Sequence, residues 1–326
     1  MSLIDKTAEK LAAQRARRRV LRPSYSDVVM PVPRGEAGEH PAQESFEERT
    51  TLADAFEDDA RSDDFSINFK RLRRWGFLTP DTRRSRTSEE MRLIKRRLMQ
   101  RMTLSQAAKD RPEKATTRTR GRGTPHKRGR EHVILVTSAR PNEGKSFVST
   151  NLALSIVLDE GYNVLLGDAD VLRPSLSKIL GIGGRPPGLT DLLTTGGPSI
   201  PQVMLRESTL PLSFIGAGTA VASATDLFGG MKMSDMISDI ADRYDDRIII
   251  FDAPPLLAST EPVALAQHVG QILLVVDAES TPRGAVEAAL DLLEPDAQVS
   301  LVLNNSTMKY RLEQFGTYYD YYSTPK

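Results

Sequence analysis

One stretch of this chain constrains its fold more than any other. An apolar run, Val133 to Thr137 (VILVT), leads into Ala139 to Ser146 (ARPNEGKS), and FVSTNLALSIVL follows at once. A short apolar run closed by turn residues reads as a buried strand, and the longer run after it as a helix. Between them stands Gly144-Lys145-Ser146. Backbone N–H groups at a helix N-terminus are unpaired and carry the positive end of the helix dipole. A strand, a tight turn and a helix in this order therefore cradle phosphate. Lys145 adds a point charge for the outer phosphates, and Ser146 a hydroxyl for Mg²⁺. The usual first glycine of such a loop is replaced by Ala139, and its interior holds Pro141 and Glu143, so the loop is a variant.

The same alternation continues downstream. Apolar strand-like runs (NVLLGDAD, LSFIGAG, RIIIFDAPP, QILLVVDA and QVSLVLNN) are separated by helical stretches at Ser175–Leu180, Leu189–Thr194, Ala224–Tyr244, Glu261–His268 and Gly284–Leu293. Continuous apolar strands between helices imply an α/β fold, a P-loop-type doubly wound, mostly parallel sheet with helices on both faces. Ligands of such sheets bind at the carboxyl ends of the strands. Three acids fall there: Asp168 and Asp170, separated by Ala169, and Asp252 after Ile248 to Phe251. Two carboxylates separated by one residue on an extended chain point the same way, and beside a Mg-nucleotide they can hold metal waters or accept a proton. An acid leaving a buried strand toward Mg²⁺ is the usual second half of a phosphate-loop site.

Composition bounds the rest. The 326-residue chain carries a net charge of +1, but residues 70–130 hold 21 Lys or Arg against 5 Asp or Glu. Without aromatics or a recognition fold beside it, that charge reads as a solvated tether, and no nucleic-acid partner is expected. There is no cysteine, which excludes disulfides and thiolate metal or iron–sulfur sites. No apolar run nears the ~20 residues of a membrane span, and the N-terminus lacks a signal peptide's apolar core. A cytoplasmic chain is expected.

The expected organisation is an N-terminal extension (1–87), a helix with a basic linker (88–130), a P-loop domain (131–308) and a tail (309–326). Ser2 to Val20 reads as a short helix, with Leu3, Ile4, Thr7, Ala8 and Leu11 on one face. Residues 21–65 lack periodicity and read as a disordered linker. Ser88–Ser105 reads as a helix capped by Ser88, with Met91, Ile94, Leu98 and Met102 as its apolar stripe. Five of the eight tyrosines lie at Tyr310, Tyr318, Tyr319, Tyr321 and Tyr322, the last four around Asp320. Tyrosines usually serve cores or interfaces. Gathered on a polar terminal segment they suggest phosphate acceptors, with an aromatic interface as the alternative.

Together these stretches resemble the bacterial tyrosine kinases of the P-loop type (BY-kinases), and among them the cytoplasmic autokinases of exopolysaccharide and exosortase systems. SARPNEGKSFVSTNLALSIV resembles the family's Walker A, LLGDADVLRPSL its Walker A′ and IIIFDAPPLLASTEP its Walker B. GLTDLL, GAGT and the tyrosine tail match as well. Glu89, Arg92 and Lys95 resemble its ExxRxxR oligomerisation motif, with Lys in the last place, which keeps the charge but loses arginine's bidentate fork. Gly167 stands where a bulky apolar residue is more common, and Ala253 where a hydroxyl residue is.

The resemblance implies ATP on Pro141, Asn142, Glu143, Gly144, Lys145, Ser146 and Phe147, and Mg²⁺ near Ser146, Asp170 and Asp252. Lys145 would neutralise phosphate charge. Asp168 would be the base toward a tyrosine hydroxyl, with Asp168 and Asp170 able to exchange roles. The acceptors would be Tyr318, Tyr319, Tyr321 and Tyr322 of a neighbouring copy in a ring-like homo-oligomer. A separate transmembrane chain-length-determinant-like activator would bring the chain to the inner face of the membrane. Two other readings share the fold: a ParA/MinD-type positioning ATPase, and a catalytically weak ATP-binding scaffold of an export complex. ParA/MinD loops typically begin KGGxGKT, whereas this one begins Ala139-Arg140-Pro141.

Overall fold

The chain's structure, a computed structural model, describes residues 65–82, 85–109, 130–159, 162–243 and 247–306. The expected N-terminal helix, the stretch to residue 64, most of the basic linker and the tyrosine tail lie outside the described residues.

In chain order the elements are α1 (Phe69–Arg74), α2 (Arg86–Lys109), β1 (Val133–Ser138), α3 (Lys145–Leu158), β2 (Asn163–Asp168), α4 (Leu176–Leu180), α5 (Leu189–Leu193), α6 (Ile200–Val203), β3 (Met204–Arg206), β4 (Leu212–Ile215), α7 (Ala224–Gly229), α8 (Met231–Arg243), β5 (Arg247–Asp252), α9 (Glu261–Leu265), β6 (Gln271–Asp277), α10 (Arg283–Asp291) and β7 (Val299–Asn304). Seven strands form one sheet in the order β3-β4-β2-β5-β1-β6-β7. All neighbours are parallel except β3, which runs antiparallel to β4. The expected parallel α/β sheet is therefore present.

Successive strand residues face opposite sides of a sheet, and both sides are buried here. Val133 and Leu135 of β1 face a core shared with α5, α7, α8, α9 and α10. Ile134 and Val136 face a second core shared with α3, α4 and the upstream helices. That double burial is why the strands read as unbroken apolar runs. The stretch expected as one helix over Ala224–Tyr244 is two, because Gly230 turns extended (ψ 166°) between α7 and α8. A glycine pair, Gly229-Gly230, is the weakest point of a helical run.

The second core extends upstream of the boundary drawn at residue 131. Met91 and Leu98 of α2 are buried in it, with Ile94 and Met102 packed against it, so the expected stripe faces the body. Ser88 is not the cap of this helix: it is itself buried, and Ser85 Oγ accepts its N–H at 3.1 Å. Further upstream, Phe65 pairs with Glu207 beside β3, and Ile67, Leu72, Phe77 and Leu78 are buried. Leu78 N–H donates to Asn151 Oδ1 on α3 at 2.7 Å, and the Phe77 ring lies 5.0 Å from that of Phe147. Among the described residues no helix is long and apolar enough to cross a membrane.

Candidate functional site

The order β2-β5-β1 brings three strand ends together. Asp168 is in register with Asp252, and Asp252 with Val136 just before the loop. The loop from Ala139 to Gly144 leaves β1 and delivers the N-terminus of α3 to the same point. It turns through two left-handed residues, Asn142 (φ 66°) and Gly144 (φ 91°). A Cβ on Gly144 would lie 2.0 Å from Asn304 Nδ2, so the position is closed to side chains as well as strained for them. Asn304, at the end of β7, donates from Nδ2 to the Glu143 carbonyl at 2.9 Å.

Two of the expected nucleotide residues turn their side chains away. Glu143 is buried; its Oε2 accepts the Arg140 N–H at 2.8 Å, and its Oε1 the Thr281 hydroxyl. Phe147 packs on Phe77. Both can meet a nucleotide only through their backbones. Pro141 and Asn142 are exposed at the loop's tip.

The working groups meet at the strand ends. Lys145 Nζ lies 2.9 Å from Asp170 Oδ2, both largely buried. Ser146 Oγ donates to Asp252 Oδ2 at 2.6 Å and accepts from Ser175 Oγ at 2.9 Å. Asp252 is fully buried, and its Oδ1 has no hydrogen-bond partner among the described residues. Asp168 is equally buried; its oxygens accept the backbone N–H groups of Asp170 (3.1 Å), Ser175 (3.0 Å) and Leu176 (3.0 Å), which ties β2 to the start of α4. Asp170 Oδ1 accepts the Arg173 N–H at 2.9 Å.

Charge follows this geometry. Burial, and then the neighbouring Asp252, push the Asp168 carboxyl up to about 7. Burial also raises Asp252, against the pull of Lys145 and Ser146. Burial opposes the Lys145 ammonium, yet Asp252, Asp170 and Asp168 together hold it above its ordinary value. One cation thus sits among three buried acids, an arrangement found where phosphate and metal are handled.

The remaining motifs also find places. GLTDLL and GAGT meet, with Asp191 accepting from the Gly188 N–H (2.9 Å) and the Thr219 N–H (3.2 Å). The small residue at 167 answers to β5: a Cβ there would come 2.7 Å from the Phe251 ring, which fills the space. Glu89 and Arg92 pair at 2.7 Å, and Lys95 pairs with Asp159, the C-cap of α3, in the same chain. Asn304, Thr281 and Asn151 are brought to the loop and its helix without having stood out in the sequence. The tyrosines at 310, 318, 319, 321 and 322 lie outside the described residues.

Comparison with known proteins fits this site. A family profile described as "ParA: NUBPL iron-transfer P-loop NTPase" matches residues 129–294. Tyrosine-protein kinase CpsD of Streptococcus agalactiae is 30% identical over 196 residues, 59% of this chain and 82% of CpsD. The chain belongs to the ParA-type P-loop NTPases and, within that fold, to the bacterial tyrosine kinases. A longer relative, tyrosine-protein kinase ptk of Acinetobacter johnsonii, is 31% identical over 166 residues, 51% of this chain but only 22% of ptk. The matched half of the chain spans about a fifth of the length of these long relatives. A crystal structure of the chimerical protein CapA2B2 shares the fold, with a TM-score of 0.54 and 21% identity over 68% of this chain and 86% of that one.

Proposed function

We propose that this chain is a Mg-ATP-dependent protein-tyrosine autokinase acting on Tyr318, Tyr319, Tyr321 and Tyr322 of a neighbouring copy, in the control of exopolysaccharide synthesis or export. The observation that carries this reading is the meeting of Lys145, Ser146, Asp170 and Asp252 at one phosphate loop, in a tyrosine-kinase family member whose sequence ends in four clustered tyrosines.

The residues fit a magnesium nucleotide. Mg²⁺ is usually bound by one or two carboxylates with substrate phosphates and waters. The unpartnered Oδ1 of Asp252, the Ser146 hydroxyl beside it and the carboxylate of Asp170 supply such a donor set. When bound, Mg-ATP supplies the γ-phosphoryl group and a divalent charge across the phosphate oxygens. Lys145 would then exchange Asp170 for a phosphate oxygen, and the loop's backbone N–H groups would orient the phosphates. Asp170, so released, would hold the metal through its carboxylate or, exchanging roles with Asp168, take the proton of the incoming tyrosine hydroxyl. Asp168, its carboxyl pushed up to about 7, is the other candidate base, with its oxygens held by three backbone N–H groups at the turn. Little covalent help is needed, since positioning and charge carry most of phosphoryl transfer.

The full chain incubated with Mg-ATP should gain phosphotyrosine. Lys145→Met should lose on the order of 10³-fold in rate, as for removal of a preorganised charge, and a chain truncated before Tyr318 should lose the signal. Absence of phosphotyrosine in the intact chain, alone and with a chain-length-determinant-like membrane activator, would overturn the reading. An alternative that shares the ParA-type fold, a positioning ATPase, would show hydrolysis stimulated by DNA or lipid and no phosphotyrosine.

A further inference from the structure

The short helix α1 carries charge that the phosphate site does not use. Four of its six residues are basic: Lys70, Arg71, Arg73 and Arg74. Spacings of three and four residues put Lys70, Arg73 and Arg74 on one face, and all three are exposed. Leu72 turns the other way and is fully buried in the second core. Asp81 is the only acid in residues 65–82. Among the described residues none of the three exposed cations makes an ion pair. Arg71 fixes the helix to α4: its Nη2 donates to the Lys178 and Ile179 carbonyls, each at 3.1 Å, which brings the exposed Lys178 to the same corner. Trp75, the C-cap of α1 and the only tryptophan of the chain, is 46% exposed. Its ring centroid lies 5.1 Å from the Arg71 guanidinium carbon, a cation–π contact that holds the ring beside the charges.

Stability does not account for this arrangement. Cations in the last turn complement the helix dipole, which covers Arg71, Arg73 and Arg74. Lys70 stands in the first turn, where the dipole disfavours it, and like charges three and four residues apart repel. The helix is held by other means, namely buried Leu72 and the Asn68 cap, whose Oδ1 accepts the Arg71 N–H at 3.0 Å. A tryptophan flanked by Lys and Arg suits the edge of a bilayer, with the ring at headgroup level and the cations on anionic lipid. Single-stranded nucleic acid would want several aromatics along a groove, and Trp75 is the one exposed aromatic in residues 65–79.

We propose that the exposed face of α1, together with Trp75, is a contact for anionic lipid at a membrane surface. Lys70, Arg73 and Arg74 meet the headgroups, and Trp75 seats its ring among them. The segment continues into Phe77 and Leu78, which pack on and bond to α3. Lipid bound there holds the folded body itself at the surface, without a partner protein. The inference does not depend on the autokinase reading, and its test reads lipid binding alone.

Because Trp75 is the only tryptophan, its emission reports this one position. The full chain is titrated with vesicles of phosphatidylcholine alone, or with about one part in three phosphatidylglycerol, and emission is recorded beside vesicle flotation. With the anionic vesicles the chain should float and the emission shift to the blue; with the neutral vesicles it should do neither. Added salt should weaken the binding. Lys70→Gln with Arg74→Gln should weaken partition about twentyfold, at about fivefold per cation. Lys127→Gln with Arg128→Gln, an equal charge change in the linker, should weaken it less and keep the shift. Without vesicles both double variants should emit as the parent chain does, which reports an intact segment. No flotation on anionic vesicles, flotation with unchanged emission, or equal losses in the two double variants would overturn the proposal. An emission change with a single-stranded oligonucleotide and none with anionic vesicles would overturn it in favour of nucleic acid.

Discussion

On β2 and β5, Gly167 and Phe251 are register partners, and the ring occupies the volume a larger residue at 167 would need. Gly167→Leu alone should cost about 1–3 kcal/mol through overpacking, and Phe251→Ala about 3–5 kcal/mol through a cavity. The double variant should recover part of both, a coupling on the order of 1–3 kcal/mol in urea denaturation; strict additivity would refute the pairing. Asp168 gives a pH prediction. Its folded-state carboxyl titrates at about 7 against an ordinary 3.8, so the folded chain keeps a proton that the unfolded chain has released. Stability from this group is therefore fullest below about 4 and declines as pH rises toward 7. The thermal midpoint should fall between about pH 4 and 7 and level off above that without nucleotide, and Asp168→Asn should fall less steeply. Asp168, Asp170 and Asp252 could be singled out because each stands at or just past a strand end, and Lys145 and Ser146 because they open the helix after the loop, patterns local in sequence. Thr281 and Asn304 were not, because they meet Glu143 across 138 and 161 residues, and an isolated Thr or Asn carries no periodicity to announce it.

Among the elements, the segment from Phe65 to Thr79 is a strap bound to the phosphate-loop helix. Asn151 links the two: its Oδ1 accepts the Leu78 N–H and its Nδ2 donates to the Phe147 carbonyl at 3.0 Å. Asn151→Ala would leave a buried N–H unsatisfied, at about 1–3 kcal/mol. Amide exchange should show the loss at Leu78 first, and unchanged protection there would refute the link. The long helix α2 could be read from its stripe, but α1, with six residues, and β3, with three, are too short to display a period. The split between α7 and α8 was hidden for the opposite reason, since apolar spacing runs on across Gly230 while the backbone does not.

For the whole molecule, a parallel sheet gathers distant segments at one end, and that made the fold legible while leaving the loop's supports obscure. The same gathering predicts ligand-linked stability. Mg-ADP at a hundred times its Kd should add about 2.7 kcal/mol, visible as a raised melting midpoint. Asp252→Asn should keep a rise with ADP but lose its dependence on Mg²⁺, whereas Lys145→Met should lose most of the rise; equal rises in all three chains would refute the assigned roles. One consequence concerns the exit of the chain. Asn304, which grips the Glu143 carbonyl, ends β7, and the segment bearing the tyrosines begins a few residues later. Tension on that segment would be transmitted through one side-chain hydrogen bond to the loop that grips phosphate. A tail drawn taut by a neighbour would act as a mechanical lever on its owner's own nucleotide.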